Sequence, residues 1–165
     1  MQSKPERAEQ IPRTSVRLLL LDERDRLLLL SSTDESDGHT FWFTVGGGRE
    51  PGETLAQTAA REAREETGPA EFQLGPEVWR RHLTVARNGV DYDWQEHYFL
   101  ARVIGFDIDT TGFTAQERGS ITGHHWWTSA ELNTTNDRLV PGDLHSLVAD
   151  LLVAGPPREP IALTD

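Results

Sequence analysis

The chain has no cysteine among its 165 residues. That absence excludes a disulfide framework, a zinc–thiolate centre and a thiol nucleophile. Nor is there an uninterrupted apolar run of the roughly 18 residues that a membrane-spanning helix requires. The longest apolar stretches, Leu18–Leu21 and Leu27–Leu30, have the length of strands. Met1 to Gln10 is polar and charged, without the hydrophobic segment of a secretory signal. Positive charge is scarce: 16 Lys and Arg stand against 27 Asp and Glu, a formal net charge of −11. A field of that sign disfavours non-specific binding to nucleic acid polymers or anionic membranes. It leaves room for a small phosphorylated ligand, because bound cations reverse the local sign. The simplest reading is a cytoplasmic protein with neither nucleic acid nor membrane as partner.

The length suits one domain, and 36% hydrophobic residues suffice for a core. No repeat or low-complexity linker divides the chain. Residues 1–11 read as a mobile lead-in, 12–157 as the folded domain and 158–165 as a C-terminal tail. Thr14–Leu21 and Arg26–Ser31 read as a β-hairpin turning at Asp22–Asp25. Ser32–Thr40 reads as a loop, and Phe41–Val45 as a strand expected to stop at Gly46-Gly47-Gly48. Thr54-x-x-Gln57 has the form of a capping box, and Leu55–Thr67 is rich in helix formers. Gly68-Pro69 should end that helix. Ala56, Ala59, Ala60 and Ala63 would form its sheet-facing stripe, with a partly open glutamate face beside it. Glu77–Ala86 and Gln95–Ile104 read as strands joined around Asn88-Gly89, and Ile121–Trp127 as a further strand. Ser129–Leu132 looks like the first turn of a short helix. Asp143–Ala154 carries apolar residues at helical spacing and ends at Gly155-Pro156-Pro157. The expected class is α+β, a layered α/β/α domain.

The chemistry concentrates in Glu62, Glu65 and Glu66. On a helix the spacing i, i+3, i+4 puts three mutually repelling carboxylates on one face. A hard divalent cation such as Mg²⁺ would hold them together, because it prefers oxygen ligands and keeps positions for substrate phosphates. The glycines at 46–48 allow close backbone approach to a phosphate. A cation so held lowers the pKa of bound water and polarises a phosphoryl oxygen, which suits attack of water on phosphorus. Glu53 and Arg61 are expected to pair and tie the glycine loop to the helix. The plain alternative is a solvated helix face laced by i, i+4 ion pairs.

The spacing Gly47, Glu53, Arg61-Glu62, Glu65-Glu66, Gly68 resembles the Nudix box, with Ala63 and Pro69 at its two aliphatic positions. The lead-in Trp42-Phe43-Thr44-Val45 and the segment Trp126–Leu132 are also similar to family features. The resemblance implies a Nudix fold, a mixed sheet between helices with the box as loop-helix-loop. It also implies Mg²⁺- or Mn²⁺-dependent cleavage of the pyrophosphate bond in a nucleoside diphosphate linked to X. By carry-over Glu62, Glu65 and Glu66 are metal ligands. A later glutamate, Glu117 first and Glu96 second, is the candidate further ligand or general base.

Gly46, Gly47, Arg17, Arg49 and Trp42 are candidates for binding substrate, and Arg13 is weighed with them against plain surface pairing. The other tryptophans, Trp79, Trp94, Trp126 and Trp127, fit core packing better than base stacking. His124 and His125 would point to opposite faces of a strand and so not share an ion. His39, His82, His97 and His145 are scattered.

The leading substrates are nucleoside di- or triphosphates, with ADP-ribose and nucleotide sugars behind them. A non-catalytic nucleotide-binding regulatory module on the same fold is the alternative of another class. The isoprenoid diphosphate isomerases of this fold rely on a cysteine that this chain lacks. A homodimer is an expectation of the resemblance alone.

Overall fold

The computed structural model describes residues 10–68, 71–104, 108–109 and 119–164. The expected lead-in therefore falls almost wholly outside the described residues, as do Pro69 and Glu117.

The sheet is built first from the leucine runs. Strand β1 (Ile11–Leu21) turns into β2 (Leu27–Thr33) through Asp22, whose carboxylate accepts the backbone N–H groups of Arg24 at 2.9 Å and Arg26 at 2.8 Å. Strand β3 (Thr40–Gly48) follows, then helix α1 (Leu55–Thr67). A long hairpin, β4 (Phe72–Arg87) and β5 (Val90–Val103), turns at Asn88-Gly89, both at positive φ. Strand β6 (Ile121–Trp127), helix α2 (Ser129–Thr134), strand β7 (Arg138–Val140), helix α3 (Leu144–Ala154) and strand β8 (Ile161–Leu163) complete the described elements.

The strand order is β6-β2-β3-β1-β5-β4-β8, with β7 added beside β3. Pairings β1–β5, β3–β7 and β4–β8 are parallel and the rest antiparallel, so the sheet is mixed. Both faces are covered, which is why the strands read as continuous leucine rather than alternating. Val16, Leu18, Leu20, Leu28 and Leu30 pack with Ala59 and Ala63 of α1 on one face. Leu19, Leu21, Leu27 and Leu29 pack with Leu144, Val148 and Leu151 of α3 on the other.

Four features depart from the sequence expectation. The glycines do not stop β3: Gly46, Gly47 and Gly48 pair with Arg17, Val16 and Ser15 of β1. A partner strand supplies their hydrogen bonds, which propensity alone does not anticipate. The buried stripe of α1 is Thr58, Ala59, Glu62, Ala63, Glu66 and Thr67, while Ala56 is exposed. The helix is thus rolled so that Glu62 and Glu66 turn inward rather than lying on a partly open face. Strand β7 lay unmarked between helices, and the expected tail contributes β8, which runs beside Trp79, Arg80 and Arg81.

Helix α1 starts with a complete capping box: Gln57 N–H donates to Thr54 Oγ1 at 3.2 Å and Thr54 N–H to Gln57 Oε1 at 2.8 Å. Gly68, at φ 91°, caps the other end. Thr54→Ala should cost about 1 kcal/mol of stability through loss of this cap. Urea unfolding of parent and variant measures it, and equal midpoints would mean the cap contributes nothing.

Candidate active site

The loop between β3 and α1 is organised by Arg61. Its Nε donates to Glu53 Oε1 at 2.8 Å and its Nη2 to Glu53 Oε2 at 3.1 Å. The same Nη2 reaches the Gly48 carbonyl at 2.8 Å, and Nη1 reaches Glu62 at 2.7 Å and Glu65 at 3.2 Å. Glu53 also accepts from the Glu50 N–H and the Thr58 hydroxyl. Hydrogen bonding from Arg61 first, then from Glu50 N–H, holds the Glu53 carboxyl down to about 2, below its ordinary 4.5. Pairing with Glu53, then Glu62, raises the Arg61 guanidinium further above its ordinary value.

The two inward glutamates meet the glycines directly. Gly46 N–H donates to Glu66 Oε2 at 2.7 Å in a buried setting. A Cβ on Gly47 would lie 2.4 Å from Glu62 Oε1. A Cβ on Gly46, which sits at φ 138°, would lie 2.0 Å from the Val16 carbonyl oxygen. Gly47 therefore lets the strand end lie against Glu62 of α1, and Gly46 lets it pass the Val16 carbonyl of β1.

Glu62 and Glu66 are 5% and 3% exposed, while Glu65 is half-buried. The site thus offers three carboxylates, two of them buried, with no sulfur or imidazole donor among the described residues. That chemistry fits a hard divalent cation. The arginine engages Glu62 and Glu65, and among the described residues no three His, Cys, Asp or Glu side chains are drawn together to hold an ion. Glu117, the proposed fourth carboxylate, is outside the described residues.

Beside Gly46 the sheet divides. The first half of β3 pairs with β2 and β7, its second half with β1, and a cavity of about 310 Å³ opens where they part. Arg17, Phe41, Phe43, Thr44, Glu96 and Tyr98 are among its lining. Glu96, 5% exposed, accepts from Arg17 Nε at 2.9 Å and the Tyr98 hydroxyl at 2.9 Å, with Arg81 at 3.5 Å. Burial, reinforced by the Glu96 charge, holds the Tyr98 hydroxyl protonated well above its ordinary range. Arg17 also donates to the Gly46 carbonyl at 3.3 Å, linking this cluster to the glycine loop. Thr44 Oγ1 is buried there with no hydrogen-bond partner among the described residues. Tyr98, Arg81, Thr44, Phe41 and Phe43 were not singled out in the sequence. The signal for Tyr98 is its i, i+2 relation to Glu96 on a strand, which puts both on one face.

Trp42 departs from its expected role. It packs with Trp127, ring centroids 5.1 Å apart, against the α3-side core, and its Nε1 donates to Asp137 at 2.9 Å. Phe41 and Phe43, its neighbours in β3, line the cavity instead. Trp79 is core and Trp94 donates to Ser15. Trp126 packs against the α1-side core, while Trp127 belongs to the opposite core. The histidines stay apart: His125 pairs with Glu131, His97 with Glu77 and His82 with Asp93, while His124 is exposed.

A family model described as NUDIX domain matches residues 11–148. Among solved structures, the MutT protein of Methanosarcina mazei Go1 is similar over 89% of this chain and 97% of its own, at 18% identity and a TM-score of 0.64. A NUDIX hydrolase from Nitrosomonas europaea matches over 88% and 90%, at 23% identity and TM-score 0.61. A C. elegans Ap4A hydrolase in a binary complex matches over 86% and 98%, at 18% identity and TM-score 0.61. No curated protein matches the chain in sequence.

Two expectations come from this geometry. Gly47→Ala should displace the Glu62 carboxylate and weaken divalent-cation binding at least about tenfold with the fold intact, since ligand position decides affinity. Mn²⁺ titration followed by electron paramagnetic resonance reads this, and unchanged affinity would place the cation elsewhere. The depressed Glu53 pKa gives stability that is complete above pH 4.5 and is lost as pH falls toward 2. Glu53→Gln should flatten the fall of Tm across that acid window in calorimetry, and superimposable curves would show that the pairing does not stabilise the fold.

Proposed function

The chain belongs to the Nudix hydrolase family and is a pyrophosphohydrolase, and from that premise we propose that it cleaves the pyrophosphate bond of a nucleoside diphosphate linked to X in a Mg²⁺- or Mn²⁺-dependent reaction. Nucleoside di- and triphosphates are the leading substrates. The observation that carries the reading is the contact of Gly46 and Gly47 with the buried Glu66 and Glu62. It puts backbone free to approach a phosphate beside carboxylates able to hold a cation. Structural relatives named ADP-ribose pyrophosphatase and UDP-X diphosphatase lend support to the wider class of nucleotide diphosphates.

Glu62, Glu65 and Glu66 would hold the cation, which supplies Lewis acidity toward a phosphoryl oxygen and a more acidic bound water. The protein's own part is positional. Arg61, fixed by Glu53 and the Gly48 carbonyl, keeps the glycine loop against α1. Arg17 holds the Gly46 carbonyl from the other side. The cavity where β3 leaves β1 offers two phenylalanine rings and the unpartnered Thr44 hydroxyl, an apolar slot with a polar end that suits a nucleobase. Glu96 is engaged by Arg17, Arg81 and Tyr98, which suits holding that slot in shape and argues against its earlier candidacy as the base. Glu117 keeps its place as the proposed base or further ligand on the resemblance alone.

Purified protein with Mg²⁺ or Mn²⁺ should turn over a member of a broad nucleotide panel, releasing a nucleoside monophosphate as one identified product. Glu65→Gln and Glu66→Gln should each lower kcat roughly 100-fold or more, the loss of several kcal/mol of charge stabilisation. No turnover across the panel, or full activity in both variants, would reject the assignment. Retained nucleotide binding without turnover would favour the regulatory module.

A further inference from the structure

On the far side of Gly48 lies a second cavity, of about 190 Å³, whose lining includes Arg13, Gly48, Arg49, Arg87, Tyr92 and Trp94. Three arginines gather there in a chain with 27 acidic and 16 basic residues. Of the ten other described arginines, seven form an ion pair with a carboxylate, while Arg24, Arg64 and Arg158 form none and lie outside this cavity. Among the described residues Arg13, Arg49 and Arg87 form none. All three are exposed, so solvent screens their mutual repulsion, and an anion bound among them would gain from all three charges, most at low salt.

The cavity is made by ordered strands rather than by loose side chains. Arg13 lies opposite Trp94, and Ile11 opposite Tyr92, in the parallel β1–β5 register. The Arg13 guanidinium sits 5.5 Å from the centre of the Tyr92 ring. Trp94 is fixed by its bond to Ser15 Oγ at 2.8 Å, and the Arg49 backbone N–H by the Thr14 carbonyl at 2.8 Å.

Alternation then joins this cavity to the first. Arg13, Ser15 and Arg17 share one face of β1, opposite Trp94, Glu96 and Tyr98 on β5. One end of this polar strip borders Gly48 and the other holds the Gly46 carbonyl through Arg17. A substrate lying along the glycines therefore has the 310 Å³ cavity at one end and the arginine cavity at the other.

We propose that the arginine cavity is a subsite for a phosphoryl group of the substrate beyond the bond that is broken. Its volume falls below the roughly 300 Å³ at which pockets for drug-sized ligands begin, which fits a phosphoryl group better than a whole nucleoside. Guanidinium forks match phosphate oxygens in pairs. The subsite rests on the hydrolase reading only for the position of the scissile bond. It favours substrates that carry an additional phosphate, such as nucleoside triphosphates, over nucleotide sugars.

The direct probe is inorganic tripolyphosphate, titrated calorimetrically into the full-length protein without divalent metal. Wild type should bind it, with affinity falling as salt is raised. The double variant Arg13→Gln/Arg87→Gln should bind at least about tenfold more weakly, the loss of charge-assisted hydrogen bonds. Arg24→Gln, an exposed arginine elsewhere, should bind as wild type does. No binding by wild type, or equal binding by the double variant, overturns the subsite.

In turnover, the double variant should lose about tenfold in kcat/KM for a nucleoside triphosphate and little for a nucleotide sugar, since only the former carries the extra charge-assisted contacts. Equal losses on both would also overturn it. If no nucleotide is hydrolysed, the catalytic reading fails while the calorimetric comparison still decides the subsite. An unchanged circular dichroism spectrum and Tm in the double variant exclude unfolding as the cause.

Discussion

The Arg61 guanidinium touches the loop before α1 through Glu53, the end of β3 through the Gly48 carbonyl, and the helix carboxylates through Glu62 and Glu65. Each of these groups is anionic or an acceptor, and without a cation they would repel or stand unsatisfied. A lysine could neutralise one of them. It could not span three directions, because the planar fork is what meets Glu53 in two bonds while still reaching Gly48. The loop conformation, the position of the glycines and the approach of Glu62 all follow from that one hub. The hub in turn depends on Glu53 staying ionised, which the Arg61, Glu50 and Thr58 donors secure.

The second constraint is the way β3 is shared. Its first half belongs with β2 and its second half with β1, so β1 and β2 are hydrogen-bonded only at Leu21 and Leu27 near their turn. That divergence opens the cavity at Arg17, Phe43 and Tyr98. It also explains why Gly46 and Gly47 are needed. At the point of transfer the strand must pass the Val16 carbonyl on one side and the Glu62 carboxylate on the other, with no space for a Cβ on either. A steric requirement of the sheet and a chemical requirement of the site fall on the same residues.

What could be read from the sequence and what could not divides along contact range. The α1 boundaries, its capping box and the Glu53–Arg61 relation are local, carried by spacing over less than three turns of helix, and the sequence reveals them. The roll of α1 is not local. Ala56 and Ala59 read alike until the sheet is in place, and then one is exposed and the other buried. Trp42 reads as a substrate-binding candidate, and only the packing of the sheet shows that its face is the α3-side core, with Phe43 on the other. Three-residue strands such as β7 and β8 carry no periodicity to detect. Glu96 and Arg17, 79 positions apart, meet only because β1 and β5 run parallel.

Charge distribution joins these observations. A chain of net charge −11 repels polyphosphates at a distance, so affinity for one must come from local reversal of the field. Seven of the thirteen described arginines do not provide it, being neutralised by carboxylates within their own neighbourhood. Arg61 is spent on the loop and Arg17 on Glu96. The guanidinium groups left for an anion beside the glycines are those of Arg13, Arg49 and Arg87, just past Gly48. A cation on the glutamates would neutralise the phosphates near the scissile bond. A more distant phosphate would need protein charge, and that is where the protein keeps it.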